Sequence, residues 1–273
     1  MKPPQSIKAG INVFAASIAD VVSCLIGKAP RHFAIPMPNP NKLWFVLVLP
    51  ACLSCRTFSH GTAIAIVRTD NAIVAAADSR AVDSRGNRLP DVCKIRSAGP
   101  WHFSINGAGT LNNVNVSDVV RRQIMKAPNS LTQDMTAISD VLKTLISAAM
   151  REDAALRAYA LSTGAVLSVA VFGSNEDAMR LATIRFATAD GSINHDIRFR
   201  PPDCGKVVGF FVPASDTRLF DWNKPPLFAV QDFLQNEIDR HQSDIGGPIQ
   251  VLMISLNGKA VWVQKPPPCN DQQ

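Results

Sequence analysis

Three residues that together could hydrolyse an amide without a metal stand in a short span of this sequence. A threonine follows a glycine (Gly61-Thr62), an aspartate lies sixteen positions after that threonine (Asp78), and a lysine lies thirty-two positions after it (Lys94). A threonine hydroxyl is a weak nucleophile and needs a base; the nearest is its own α-amine, once the preceding peptide bond is cut. That amine has a pKa of about 7.7 to 8.0, so a useful fraction is unprotonated near neutrality. A nearby ammonium lowers the value further, and a carboxylate holds the ammonium in place. The chemistry also needs backbone N–H groups for the oxyanion. Gly107-Ala108-Gly109 can supply them, following a strand and leading into a helix whose first N–H groups attract anions.

The surrounding segments must bring these groups together. Thr62 to Arg68 and Ala72 to Ala77 read as two strands rich in Ile, Val and Ala, with Thr69-Asp70-Asn71 as the turn. Such a hairpin returns Asp78 beside Thr62. Val92 to Ile95, carrying Lys94, and His102 to Ile105 read as two further strands. The period then changes to a helical one through Val114, Val119, Val120 and Ile124, with Ser117-Asp118 as cap. A second helix is expected from about Leu131 to Ala154, with Met135, Ile138, Val141, Leu142, Leu145 and Ile146 on one stripe. Strands follow at 165–172, 179–186, 195–199 and 206–211, and a helix at about 227–240. A final hairpin closes at Asn257-Gly258. Strands and helices that come in runs, not in single alternation, predict an α+β fold with packed sheets and outer helical layers.

At Gly61-Thr62, Ala76-Ala77-Asp78-Ser79-Arg80, Lys94 and Asn106-Gly107-Ala108-Gly109 the sequence resembles the β-type subunits of the proteasome, in the N-terminal nucleophile hydrolase superfamily. The closing Gly246-Gly247-Pro248-Ile249-Gln250-Val251 is similar to that family's terminal hairpin. The resemblance implies a four-layer αββα sandwich with catalytic Thr62, Asp78 and Lys94, and Gly107 at the oxyanion; an ungapped count would place that role on Ala108. It implies processing at Gly61 and a peptide lying as an added strand along Ala81-Val82 and Gly107 to Gly109. The pattern departs from the family at Ala63, where a second hydroxyl is usual, at Val208 to Phe211, where a Gly-Ser-Gly segment is usual, and at Gln242, where a supporting aspartate is usual.

The formal net charge is +6, but residues 1–61 hold six basic residues against Asp20. From Thr62 onward 22 bases meet 21 acids, which removes the main support for a nucleic-acid partner. Residues 1–61 read as a leader, with 62–273 as the hydrolase domain. Within the leader, Lys42 precedes an apolar run from Leu43 to Leu53, too short to span a bilayer as a helix. Segment 37–55 fits a secretory signal, with Met37 an alternative start and export to the periplasm or medium the expectation. The other reading of the run is a buried strand of a cytoplasmic protein. Membrane contact is expected only through the leader.

Neither a metal cluster nor a nucleotide loop is legible, so no cofactor is expected. Cys93 and Cys204 could pair in an exported protein or stay as buried thiols, and KPPPCNDQQ reads as a frayed end. Each candidate residue alone is ordinary: a strand-end Asp-Ser-Arg is usually a solvated turn and a lone lysine a surface charge. Their joint spacing carries the reading. The expected function is a threonine-nucleophile peptidase. The alternatives are an inactive sandwich used for binding or assembly and a hydrolase of a small amide. Homo-oligomer formation is left open.

Overall fold

The computed structural model describes residues 62–82, 87–126, 130–175, 178–189, 192–200, 207–210, 220–241, 245–266 and Cys269. The leader with Gly61, and likewise Cys204, Gln242 and Phe211, lie outside the described residues.

The chain runs out on β1 (Ile64–Arg68) and returns on β2 (Ala72–Ala77). Thr69 closes the turn, its backbone N–H donating to the Ala72 carbonyl at 2.8 Å while its hydroxyl accepts from the Ala72 N–H at 3.1 Å. The register pairs Ile64 with Ala77, so Asp78 comes back opposite Ala63, as the sequence reading requires. Two short strands, β3 (Ala81–Val82) and β4 (Arg88–Leu89), pair in a ribbon. Next come β5 (Arg96–Ala98) and β6 (Trp101–Gly107).

A hairpin the sequence reading lacked, β7 (Thr110–Leu111) with β8 (Val114–Asn115), precedes α1 (Val116–Ile124). Asn115 caps α1, its side-chain oxygen accepting the Ser117 N–H at 2.9 Å; the expected cap at Ser117-Asp118 lies inside the first turn. Helix α2 (Leu131–Glu152) buries Met135, Ile138, Leu142 and Ile146 of its expected stripe, whereas Leu145 is half-buried and Val141 is exposed, one position off the buried face. It stops where Asp153 starts α3 (Ala154–Thr163) by accepting the Ala155 and Leu156 N–H groups. A carboxylate on two free N–H groups restarts the helix.

The remaining elements are β9 (Leu167–Asn175), β10 (Ala178–Ala189), β11 (Ser192–Arg200), β12 (Val207–Phe210), α4 (Pro226–Arg240), β13 (Gln250–Ser255) and β14 (Ala260–Gln264). They build two antiparallel five-stranded sheets, ordered β12-β1-β2-β13-β14 and β11-β10-β9-β6-β5. Alternate residues of each strand face opposite ways, and three apolar clusters follow. Ile64, Ile66, Phe172, Leu181 and Leu252 fill the space between the sheets. Val120, Ile138, Leu142, Val171 and Ile184 join the helices α1, α2 and α3 to the second sheet. Ala65, Val74, Val230, Phe233 and Val251 join α4 to the first. The architecture is therefore the expected α+β, four-layer αββα sandwich. Among the described residues no helix is long and apolar enough to cross a membrane.

Candidate active site

The site grows from the open end of the β1–β2 hairpin. Thr62 precedes β1 and is largely buried, and Ala63 behind it packs into the α4 layer. That packing gives a physical reason for alanine where the resembling family has a hydroxyl. Asp78 just past β2 is fully buried. Its backbone N–H donates to the Ala63 carbonyl at 3.1 Å, and its Oδ1 accepts the Ala63 N–H at 2.8 Å. The same oxygen accepts Lys94 Nζ at 2.7 Å, and Oδ2 accepts the Gly246 N–H at 3.1 Å. One carboxylate thus joins the residue next to Thr62, the lysine and the Gly-Gly pair.

A carboxylate and an ammonium this deep in the protein are each disfavoured in charged form unless paired. Burial pulls the Lys94 ammonium below the usual lysine range, opposed by Asp78. Burial pushes the Asp78 carboxyl up, opposed by Lys94 and by the Ala63 and Gly246 N–H groups. Three donors on one carboxylate oppose that shift and favour its charged form.

The expected strand at Val92 to Ile95 is not one. Lys94 lies in coil between β4 and β5. The cause is a side chain 156 residues away: Gln250 Oε1 accepts both the Lys94 N–H at 2.9 Å and the Ile95 N–H at 3.2 Å, and Gln250 Nε2 donates to the Val92 carbonyl at 2.6 Å. These backbone groups are satisfied without a ladder. The Ser104 hydroxyl donates to the Lys94 carbonyl at 2.6 Å.

The cysteine expectation is also corrected. Cys93 pairs with Cys269, not Cys204, with a Cα–Cα distance of 4.9 Å across a sequence separation of 176. Cys269 is therefore tied beside Lys94, while 270–273 lie outside the described residues. Spacing alone could not choose among the cysteines.

Gly107 ends β6 at φ +105, and a Cβ there would stand 2.4 Å from the Val166 carbonyl oxygen. Glycine is required on both counts. The Ala108 N–H donates to that same carbonyl at 3.3 Å, so it is committed. Successive N–H groups of an antiparallel ladder alternate sides, which turns the Gly107 N–H away from β9. Gly109 does not open a helix; its carbonyl accepts the Val116 N–H at 3.0 Å across the β7–β8 hairpin.

Thr62, Lys94, Gly107 and the four expected substrate contacts, Ala81, Val82, Ala108 and Gly109, all line one cavity of about 530 Å³. Asp78 stands behind Lys94, outside the lining. The AADSR motif is anchored by Gly246, whose carbonyl accepts the Ser79 and Arg80 N–H groups at 3.1 and 2.9 Å. A Cβ on Gly246 would stand 2.6 Å from the Arg80 guanidinium carbon. Among the described residues no three His, Cys, Asp or Glu side chains converge as a metal site.

No family model matches the chain, and no curated protein matches it. Solved structures similar to it include Anbu (ancestral beta-subunit) from Yersinia bercovieri, at 12% identity and TM-score 0.47 over 77% of this chain and 88% of that one. Another is a Gly-1 mutant of Anbu from Hyphomicrobium sp. strain MC1, at 16% identity and TM-score 0.46 over 75% and 88%. The expected membership among proteasome β-type subunits is corrected accordingly. The motif spacing that suggested it is carried by a chain that no family model claims and whose reported structural neighbours are Anbu proteins. At these values the likeness says nothing of activity, and the sandwich stands on its own sheet order and layers.

Proposed function

We propose that this chain is a threonine-nucleophile amide hydrolase acting on peptide bonds. The observation that carries the reading is the buried 2.7 Å Lys94–Asp78 pair on the carboxylate oxygen that also holds the Ala63 N–H, directly behind Thr62. A buried ion pair stabilises little for its desolvation cost, and perturbed ionisable groups facing a cavity mark candidate sites of chemistry.

Cleavage of the Gly61–Thr62 bond frees the α-amine, and the Lys94 ammonium holds that amine's pKa down. The amine takes the proton of the Thr62 hydroxyl as its oxygen attacks the substrate carbonyl. The Gly107 N–H receives the developing oxyanion. The C–N bond breaks, the proton passes to the leaving amine, and water then cleaves the Thr62 ester by the same base. The cavity with Ala81, Val82, Ala108 and Gly109 on its walls receives the acyl side of the peptide. The Cys93–Cys269 bridge fits an oxidising compartment, which supports export of the domain.

The test is hydrolysis of a panel of peptidyl amides by purified protein. Turnover that vanishes in Thr62→Ala and rises with pH through a value below about 7.7 is expected. Wild-type protein that cleaves none of them, or Thr62→Ala protein that cleaves as well as wild type, overturns the reading.

A further inference from the structure

Gln250 is fully buried on β13, in register with Ala77 on β2, one residue before Asp78. Two neighbouring strands therefore present Asp78 and Gln250 at the same level of the first sheet. Asp78 takes the Lys94 ammonium at 2.7 Å, while Gln250 takes the Lys94 backbone N–H at 2.9 Å. The orientation of the carboxamide is fixed by its surroundings: two N–H donors, of Lys94 and Ile95, face the oxygen, and the Val92 carbonyl faces the nitrogen. Reversing it would set donor against donor twice. Since Lys94 stands in coil, no strand ladder fixes its backbone.

We propose that Gln250 is the positioning residue of the lysine: its carboxamide replaces the missing strand partner of the 92–95 coil and sets where Lys94 Nζ meets Asp78 and faces Thr62. Ser104 holds the Lys94 carbonyl, and the disulfide at Cys93 keeps the coil at the cavity wall. Removing the carboxamide therefore shifts Lys94 without detaching the coil. The consequence for turnover rests on the hydrolase reading, whereas the consequence for the titration of Lys94 does not.

The experiment uses the processed protein and two variants, Gln250→Leu and Gln250→Glu. The leucine removes all three bonds, while the glutamate, kept protonated by burial, fills the same space, keeps an acceptor for Lys94 and Ile95 and donates its O–H to the Val92 carbonyl. Expected for Gln250→Leu is a loss of kcat of about 10²-fold, the effect of a displacement on the order of 1 Å at a reacting centre, with KM within about twofold of wild type. Gln250→Glu, which keeps the acceptor, should recover much of that loss. The Lys94 Nζ titration, read by NMR on selectively labelled lysine, should move in Gln250→Leu. If wild type shows no turnover while the Nζ titration still moves, the hydrolase reading fails and the positioning role stands. Unchanged kcat and unchanged Nζ titration in folded Gln250→Leu would overturn the proposal. Should both variants fail to fold, amide exchange in wild type decides. Lys94 and Ile95 N–H groups protected like those of β2 support it, and exchange at open-loop rates overturns it.

Discussion

Replacing Lys94 by methionine tests the heart of the site through stability alone. The substitution removes the cation but keeps the side chain's length, leaving the Asp78 carboxylate fully buried with the Ala63 and Gly246 N–H groups as donors. Breaking a buried pair from one side costs about 3 to 5 kcal/mol. The two remaining donors each give a carboxylate about 1.5 to 3 kcal/mol of hydrogen bonding, which keeps the expected loss at the low end, about 3 kcal/mol. The double variant Lys94→Met/Asp78→Asn carries no uncompensated charge, although its carboxamide nitrogen meets one of the two N–H donors, and should lose less than the two single variants summed. That shortfall is a favourable coupling of about 2 kcal/mol between the two sites.

The pH dependence follows with a definite sign. Burial already raises the folded pKa of Asp78 above its unfolded value near 3.9, and removing Lys94, which opposes that shift, raises it further. The folded state then binds more protons across that interval, so the deficit of Lys94→Met shrinks as pH falls towards 4 and is complete above the raised pKa. Urea unfolding at pH 8 and pH 5 measures both effects. A Lys94→Met protein within about 1 kcal/mol of wild type at pH 8, the range of an exposed pair, would refute the buried, mutually dependent pair.

Three other expectations concern separate parts of the frame. Gly107→Ala sets a Cβ 2.4 Å from the Val166 carbonyl oxygen at φ +105, which should cost at least about 2 kcal/mol from strain and crowding; a thermal midpoint equal to wild type would contradict the geometry. Cys269→Ser opens a bridge across 176 residues and should lower stability by about 2 to 5 kcal/mol by urea unfolding. Treatment of wild type with a dithiol should reproduce the shift. Asp134 is buried at the start of α2 without a hydrogen bond to its side-chain oxygens, and burial raises its pKa to about 6. The folded state binds its proton more tightly, so this residue's contribution to stability is lost as pH rises from about 4 to 6, and the advantage of Asp134→Asn over wild type should grow across that window. An advantage independent of pH would contradict it.

What the sequence shows of this protein is what local pattern and fixed spacing can encode. Ile64, Ile66, Val74 and the Thr69 turn make the first hairpin readable, and the hairpin alone brings Asp78 back beside Ala63, the residue after Thr62. The α2 stripe is legible for the same reason: its periodicity is written in consecutive residues. The support of Lys94 is not. Gln250 and Cys269 reach it from 156 and 176 residues away, respectively to Lys94 and to its neighbour Cys93, and neither residue type announces a partner. The same holds for Gly246, which looks like part of a turn and is the third donor to Asp78. Where local chemistry competes with pattern, as at the Asp153 cap that ends α2 and begins α3, boundaries move and a helix is missed.

The central claim is that Thr62 becomes the first residue of the working protein and carries the acyl group of its substrate. Intact-mass analysis of purified protein, before and after exposure to an electrophile that reacts with a terminal amino alcohol, tests it most directly. Expected are a chain beginning at Thr62 that gains one inhibitor mass on that residue, and an unlabelled chain for Lys94→Met. Active protein that retains the residues before Thr62, or a label located elsewhere, would contradict it.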